Sequence, residues 1–310
     1  MRVGVIGAGI FGLATALELR ARKHAVWLFE QGSVPNAHAS STDNSKVVRR
    51  DGYGRVSEYV ELAERAALQW ERWHEQMGDI YFRVGKLHVT RHFEPDSLAH
   101  LSWERFKDVH QGSRMLTRQE AEDRFPQFSY RDDDVIIHDA WTGYVRSGAA
   151  LTGLAGIAQE QGVQILPDTA VLEVVEDLRT VKIRHSGGTT GFDMAVVCGG
   201  PWIGRLVPAL VENLSITRQE MAFFKPGVSE QYRREITPVW SFAPYDDGWY
   251  GVPLLHEGYV KLAMGNRVHE VDADVERVAT AEFLQEAKRF VAARSPGLAN
   301  GELVGSRGCR

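Results

Sequence analysis

Gly7-Ala8-Gly9-Ile10-Phe11-Gly12 follows a short apolar run, Arg2 to Ile6, and opens a helical pattern that continues to Arg22. This stretch decides the fold. Gly7 permits a tight turn, Gly9 lets the backbone approach a pyrophosphate, and Gly12 allows close packing of helix on strand. The positive end of the helix then faces the phosphate charge. Ala25 to Phe29 reads as a second strand, and Glu30 ends it where an acid accepts hydrogen bonds from ribose hydroxyls. Strand, glycine turn, helix, strand and acid together make a dinucleotide-binding βαβ unit. Glu30 disfavours a 2′-phosphate and hence NADP, whereas NAD and FAD are not separated by this motif alone.

Outward from this unit, Arg55 to Met77 reads as a helix with Tyr59, Ala63, Ala66, Trp70 and Trp73 on one apolar face. These tryptophans are expected to pack rather than to stack on a ligand. Ile80 to Thr90 reads as strand and turn around Gly85. Thr117 with Glu120 matches a capping box for a short helix that stops before Pro126. Ser147 is the expected cap of a further helix, with Gly162 at its C-terminal end. Strands are expected at Val163 to Leu166, Val171 to Val175 and Met194 to Cys198, with a hairpin turn at Ser186-Gly187-Gly188. Alternating strands fill Ile216 to Leu262, and a long helix from about Val275 to Ala293 ends at Ser295-Pro296-Gly297. No repeat or flexible linker appears, so the two expected domains are interleaved. The expected class is α/β, or α+β overall. A Rossmann-type domain takes 1–79 and 143–213, and a mixed or antiparallel-sheet substrate domain takes 80–142 and 214–303.

The 310 residues, 44% hydrophobic and 25% charged, have the balance of a globular protein with a sizeable core. A net charge of −5 with mixed signs gives no basic surface for nucleic acid or an anionic membrane. Cys198 and Cys309 are the only two cysteines, too few for a disulfide framework and without metal-ligand spacing. No metal site is expected. No apolar run approaches a membrane span, and the glycine-broken N-terminus is not a signal peptide. Cytoplasm is the expected compartment.

Two later stretches bear on which dinucleotide is bound. Ala195-Val196-Val197-Cys198-Gly199-Gly200-Pro201-Trp202 is an apolar strand running into a glycine turn and a tryptophan. It resembles a segment of the FAD-dependent amine oxidases related to D-amino acid oxidase and monomeric sarcosine oxidase. Ser40-Ser41-Thr42-Asp43-Asn44-Ser45-Lys46-Val47-Val48-Arg49, with Tyr53-Gly54 after it, resembles that group's segment following the acidic strand. Arg218 to Phe224, Trp249-Tyr250-Gly251-Val252-Pro253 and Lys261-Leu262 resemble the sheet covering the flavin in the sarcosine oxidase branch. Pro296-Gly297 and Gly301-Glu302-Leu303 precede Cys309 at that branch's spacing. The resemblance runs from residue 2 to the C-terminus.

The resemblance implies FAD as cofactor, lying extended with its adenosine on the βαβ unit. It implies that a hydride equivalent leaves the carbon next to an amine nitrogen, that the imine hydrolyses, and that O2 is reduced to H2O2. Gly7, Gly9, Ile10, Phe11, Gly12, Glu30, Ser41, Lys46, Val171, Gly199, Gly200 and Trp202 are the implied cofactor contacts. Cys309 matches the cysteine that forms a thioether to the flavin, while Cys198 reads as core. Lys261 matches the lysine that promotes reaction with oxygen, a fixed cation for developing superoxide charge. The residue pattern alone also allows an outward-facing strand lysine there. Arg49 matches the arginine that binds the substrate carboxylate, a role suited to a guanidinium fork. Arg50 is adjacent, so the register of this loop stays open. Lys46 falls where sarcosine oxidases carry an arginine near the flavin face.

Two departures are visible. Gly265 stands where sarcosine-type enzymes carry a histidine, which argues against sarcosine itself and toward a larger amine or a different acid. The chain also stops at Arg310, whereas family members continue with a strand and a glycine-rich loop against the flavin. Residues 304–310 then read as the start of that C-terminal FAD-binding segment, and weak FAD binding with reduced turnover is expected. The expectation is a small-molecule substrate, an amino acid or an N-alkyl or cyclic amine, whose C–N bond is oxidised to an imine, and a monomer. Two other readings remain open: an FAD dehydrogenase passing electrons to another acceptor, and a catalytically inactive flavin-binding relative.

Overall fold

The computed structural model describes residues 1–53, 56–107, 113–243, 248–265 and 269–309. Gly54, Arg55 and Arg310 of the stretches read above lie outside these residues.

The opening apolar run does form a strand, Arg2–Ile6, at the centre of a four-stranded sheet. Its neighbours are Met194–Val197 on one side and Ala25–Phe29 on the other, and Gln164–Leu166 completes the order. Every pairing is parallel, as crossover connections through helices require. Helices Ile10–Ala21 and Ser147–Glu160 bury Leu13, Leu17 and Leu154 against Val3, Val5 and Leu28. The other face packs Ile6 and Phe29 on Ile183 and Phe192. Those two belong to an antiparallel three-stranded layer of Val171–Glu176, Val181–His185 and Gly188–Phe192. Coverage on both faces explains why these strands read as continuous apolar runs rather than alternations.

A second sheet has eight strands. Their order is Glu302–Cys309, Gln219–Lys225, Val260–Met264, Trp249–Val252, Val239–Ala243, Lys86–Thr90, Val135–Asp139 and Arg114–Leu116. All neighbours are antiparallel except Val239–Ala243 against Lys86–Thr90. Helix Ala281–Arg294 covers one face, burying Phe283, Ala287 and Val291 with Trp240, Phe242 and Leu262. The opposite face carries the polar residues described below. A small antiparallel sheet places Gly143–Val145 between Lys46–Val48 and Tyr81–Arg83. Trp70 and Trp73 meet edge to face and pack beside Ile80 and Val145.

Two local expectations need correction. Ser147 is the first residue of its helix, not the cap, and its hydroxyl donates to Asp43 O at 2.8 Å. The C-terminal helix starts at Ala281 rather than near Val275, with Thr280 Oγ1 accepting from Phe283 N at 3.2 Å. Residues before Thr280 are tied to the sheet edge instead: Gly308 N donates to Arg277 O, and Thr280 N donates to Glu220 Oε1. Val275 and Val278 mimic the helical period without belonging to it. The capping box of Thr117 and Glu120 is present, and Gly162, at φ 82°, follows the helix ended by Gln161. Among the described residues no helix is long and apolar enough to cross a membrane.

Candidate active site

At the nucleotide end, the glycines are there because side chains do not fit. Gly7 has φ 101°, and a Cβ on it would stand 2.4 Å from Cys198 O. A Cβ on Gly12 would stand 1.7 Å from Gly7 O. Gly9 caps the helix without any side-chain cap bond, and the first turn holds no acid. Apart from that of Ile10, the N–H groups of this turn are thus left for an anion. Ile10 N donates to Ser41 Oγ at 3.1 Å, which brings the Ser41 loop over the turn, and Phe11 is exposed.

Glu30 is buried at the end of its strand. Its carboxylate accepts from Ala8 N and Asn36 Nδ2, each at 2.8 Å, and from Gly32 N at 3.1 Å. Nothing in the sequence marked Asn36 as the residue that orients this acid. Thr169 N donates to Glu30 O, so Val171 opens its strand close to the acid. Gly199 and Gly200 follow the Met194–Val197 strand into a short 3-10 turn ending at Trp202, with Gly200 at φ 52°. The Trp202 indole donates to Asp274 Oδ1 at 2.7 Å. Cys198 packs against the core, and burial pushes its thiol pKa up.

The second end is a cavity of about 610 Å³ on the polar face of the eight-stranded sheet. Strand register explains its lining. His88, Ser241, Tyr250 and Ala263 stand opposite one another in consecutive strands. Lys86 and Lys261, each two residues along, therefore share their face. Lys261 is buried, not outward. Its Nζ donates to Asp43 Oδ2 at 2.6 Å and to Ser45 O at 2.7 Å. Burial pushes the ammonium pKa down, against the opposing pull of Asp43. Burial would raise Asp43, but the charges of Lys261 and Lys46 outweigh it and hold this carboxyl at about 2. Lys46 Nζ lies 3.2 Å from Asp43 Oδ2 and 3.4 Å from Cys309 Sγ. Cys309 is buried on the edge strand, and Tyr250 is pushed up to about 12 by burial, Asp43 and Cys309.

The two adjacent arginines part company. Arg49 lines the cavity with its side chain 42% exposed, its Nη1 donating to Asp51 O at 2.6 Å. Arg50 points into the protein, where it pairs with Asp139 at 2.9 Å and Glu64 at 3.5 Å. It also lies over the Phe106 ring at 4.2 Å. Sequence reasoning missed Asp43, Asp51, Lys86, His88 and Ser241. Asp43 lies inside the Ser40–Arg49 stretch but was not singled out, and the decisive partners of all five lie 35 or more positions away in the chain. Among the described residues no group of three or more His, Cys, Asp or Glu side chains could hold a metal ion.

The family model for FAD dependent oxidoreductases matches residues 2–310. The chain belongs to that family. This FAD-dependent oxidoreductase is 24% identical over 304 residues to N-methyl-L-tryptophan oxidase of Escherichia coli strain SMS-3-5, covering 95% of the chain and 79% of the relative. The solved structure of NikD, described as an unusual amino acid oxidase essential for nikkomycin biosynthesis, superposes with a TM-score of 0.85 at 18% identity, over 99% of the chain and 80% of that protein. Glycine oxidase from Geobacillus kaustophilus gives a TM-score of 0.78 at 20% identity, over 99% and 82%.

The residues present fit FAD. An uncapped helix start and side-chain-free turn suit its pyrophosphate. Between that turn and Lys261, Thr42 Oγ1 and Ser45 Oγ are buried without a hydrogen-bond partner, in the loop where a cofactor crossing from one end to the other would meet them.

Proposed function

We propose that this oxidoreductase oxidises the C–N bond of a carboxylated amine or amino acid to an imine, with O2 reduced to H2O2. The observation that carries the reading is a single cavity holding an accessible guanidinium, Arg49, together with a buried, carboxylate-paired ammonium, Lys261. When bound, FAD would supply the two-electron acceptor for a hydride from the carbon next to nitrogen and the route of those electrons to O2. Arg49 grips the substrate carboxylate through its fork, which fixes the amine carbon in place. Arg50, locked into Asp139, has no such freedom. Lys261, held by Asp43 and Ser45, keeps a positive charge in a dry site, where it stabilises the charge that builds on oxygen. Lys46 adds a second cation at the same end. The imine leaves and hydrolyses in water.

Cys309 is the thiol we assign to flavin tethering, with the Lys46 ammonium 3.4 Å from its sulfur. Tethering would form one C–S bond with loss of two hydrogens, whose electrons would pass to O2. We read residues 1–79 and 143–213 as the cofactor side and 80–142 and 214–303 as the substrate side of a cytoplasmic monomer; Glu302–Cys309, expected from 304 on as the start of a cofactor segment, is the edge strand of the eight-stranded sheet.

The test is anaerobic mixing of the FAD-loaded protein with a panel of free and N-methyl amino acids, followed by air. Bleaching of the flavin and then stoichiometric peroxide is the expected result. Flavin that no amine bleaches would sink the proposal. Bleaching without reoxidation in air, but with dye reduction, would make the protein a dehydrogenase. Gel filtration at the mass of one chain and colour that stays with acid-precipitated protein check the oligomeric state and the tether.

A further inference from the structure

The far end of the cavity has a polar pair that the reaction as proposed does not use. His88 Nδ1 and Ser241 Oγ are hydrogen-bonded at 2.7 Å, and both residues line the cavity. They stand on adjacent parallel strands, directly opposite in register. The strand of Lys261 and the strand of His88 are three strand spacings apart. At about 4.8 Å per spacing this is about 14 Å. The cavity walls also carry apolar and aromatic residues: Leu98, Trp103, Phe106, Ile137 and Trp249.

The charge state of the far end sets what it accepts. Lys86 is ion-paired to Asp51, so its charge is met within the protein. Burial, with the Lys86 charge, holds His88 down at about 3, which leaves the ring neutral at ordinary pH. A neutral imidazole bonded to a hydroxyl keeps one donor and one acceptor to spare, whichever tautomer it adopts. If the serine donates to Nδ1, the ring offers Nε2–H and the serine oxygen still accepts. If Nδ1–H donates to the serine, the ring offers an acceptor and the hydroxyl a donor. Such a pair suits an uncharged polar group, while the Arg49 charge that also acts on His88 is taken up by the substrate carboxylate.

We propose that His88 and Ser241 form a side-chain recognition site that takes an uncharged hydrogen-bonding group, such as a phenolic hydroxyl or a ring N–H, at the end of an aromatic substrate side chain. The site deepens the amine oxidase reading and rests on it for the word substrate. Its test does not need turnover. Binding of 3-(4-hydroxyphenyl)propanoate and of 3-phenylpropanoate to the FAD-loaded protein is measured by calorimetry. Both carry the carboxylate for Arg49, and they differ only in the terminal hydroxyl. The hydroxylated acid binds about five- to tenfold tighter, the worth of one hydrogen bond in a mostly apolar pocket. Ser241→Ala and His88→Phe each bring that ratio below about twofold, while Ser241→Thr, which keeps a hydroxyl, retains it.

Equal binding of the two acids, no binding of either, or a preference that survives both Ser241→Ala and His88→Phe overturns the inference. The same preparations are mixed with N-methyl-tyrosine and N-methyl-phenylalanine. A hydroxyl preference in calorimetry with no flavin bleaching by any amine sinks the amine oxidase reading and leaves the recognition site standing. Bleaching by both amines with equal binding of the acids does the reverse.

Discussion

Replacing Asp43 by Asn removes the counter-charge of Lys261 while keeping the side-chain shape. Both partners are out of water: the Asp43 side chain is 0% exposed and that of Lys261 3%. Leaving one member of such a pair unmatched costs about 3–5 kcal/mol. The proton linkage gives an independent figure. The carboxyl falls from 3.8 in the unfolded chain to about 2 in the fold, worth about 2.5 kcal/mol. The sign follows from the depression: this stability is fully present above 3.8 and is lost as pH falls through about 2. Burial works against the Lys261 charge, so the lower figure is the better expectation at pH 7. The Asn variant has no such titration, so its deficit of about 2.5 kcal/mol at pH 7 roughly halves at pH 3. Urea unfolding of both proteins at the two pH values, with and without excess FAD, measures it. A deficit under about 0.5 kcal/mol at pH 7, or one that does not change on acidification, would refute the reasoning.

Gly12→Ala places a methyl group where Gly7 O already stands, 1.7 Å away, so the protein is expected to lose FAD retention on purification or to be insoluble, read by the flavin-to-protein absorbance ratio. Arg50→Ala should cost about 2–5 kcal/mol in urea unfolding, because it empties a fully buried site beside Phe106 and Trp141 and removes the counter-charge of half-buried Asp139. Arg49→Ala next door should stay within about 0.5 kcal/mol and instead raise KM for a carboxylated amine at least about tenfold. Lys261→Met should leave anaerobic flavin bleaching within about threefold while slowing reoxidation by O2 about a hundredfold or more, followed in separate stopped-flow half-reactions.

The sequence made the βαβ unit readable because its constraints are local. Gly7, Gly9 and Gly12 each answer to backbone a few residues away or to the strand beside them, and Glu30 closes the unit. The family resemblance extended the reading to FAD. The site was less legible, for identifiable reasons. Lys261 sits between Val260 and Leu262, and all three are buried, so alternation could not tell which way the lysine points. Arg49 and Arg50 are indistinguishable by type. Only the placement of Asp139, which is far along the chain and accepts from Arg50, separates the inward one from the cavity one. Ser147 looked like a cap because Ser commonly is one. Its hydroxyl went to Asp43 O instead, a partner that no helix-start pattern contains. Val275 and Val278 kept the helical period going backwards past the true cap, Thr280.

The Lys261–Asp43 pair joins residues 218 positions apart, and this has a consequence for how the chain is made. During synthesis the Asp43 carboxylate emerges long before its ammonium, and the parallel contact between His88 and Ser241 likewise awaits a strand 153 positions later. The cavity therefore cannot exist in any N-terminal intermediate. Until the later strands arrive, the Lys86–Thr90 strand has an open edge on that side, and closing such long loops comes late in folding. Appearance of a bound aromatic acid during refolding would thus time the last step of assembly, well after the glycine turn has become able to hold its phosphates.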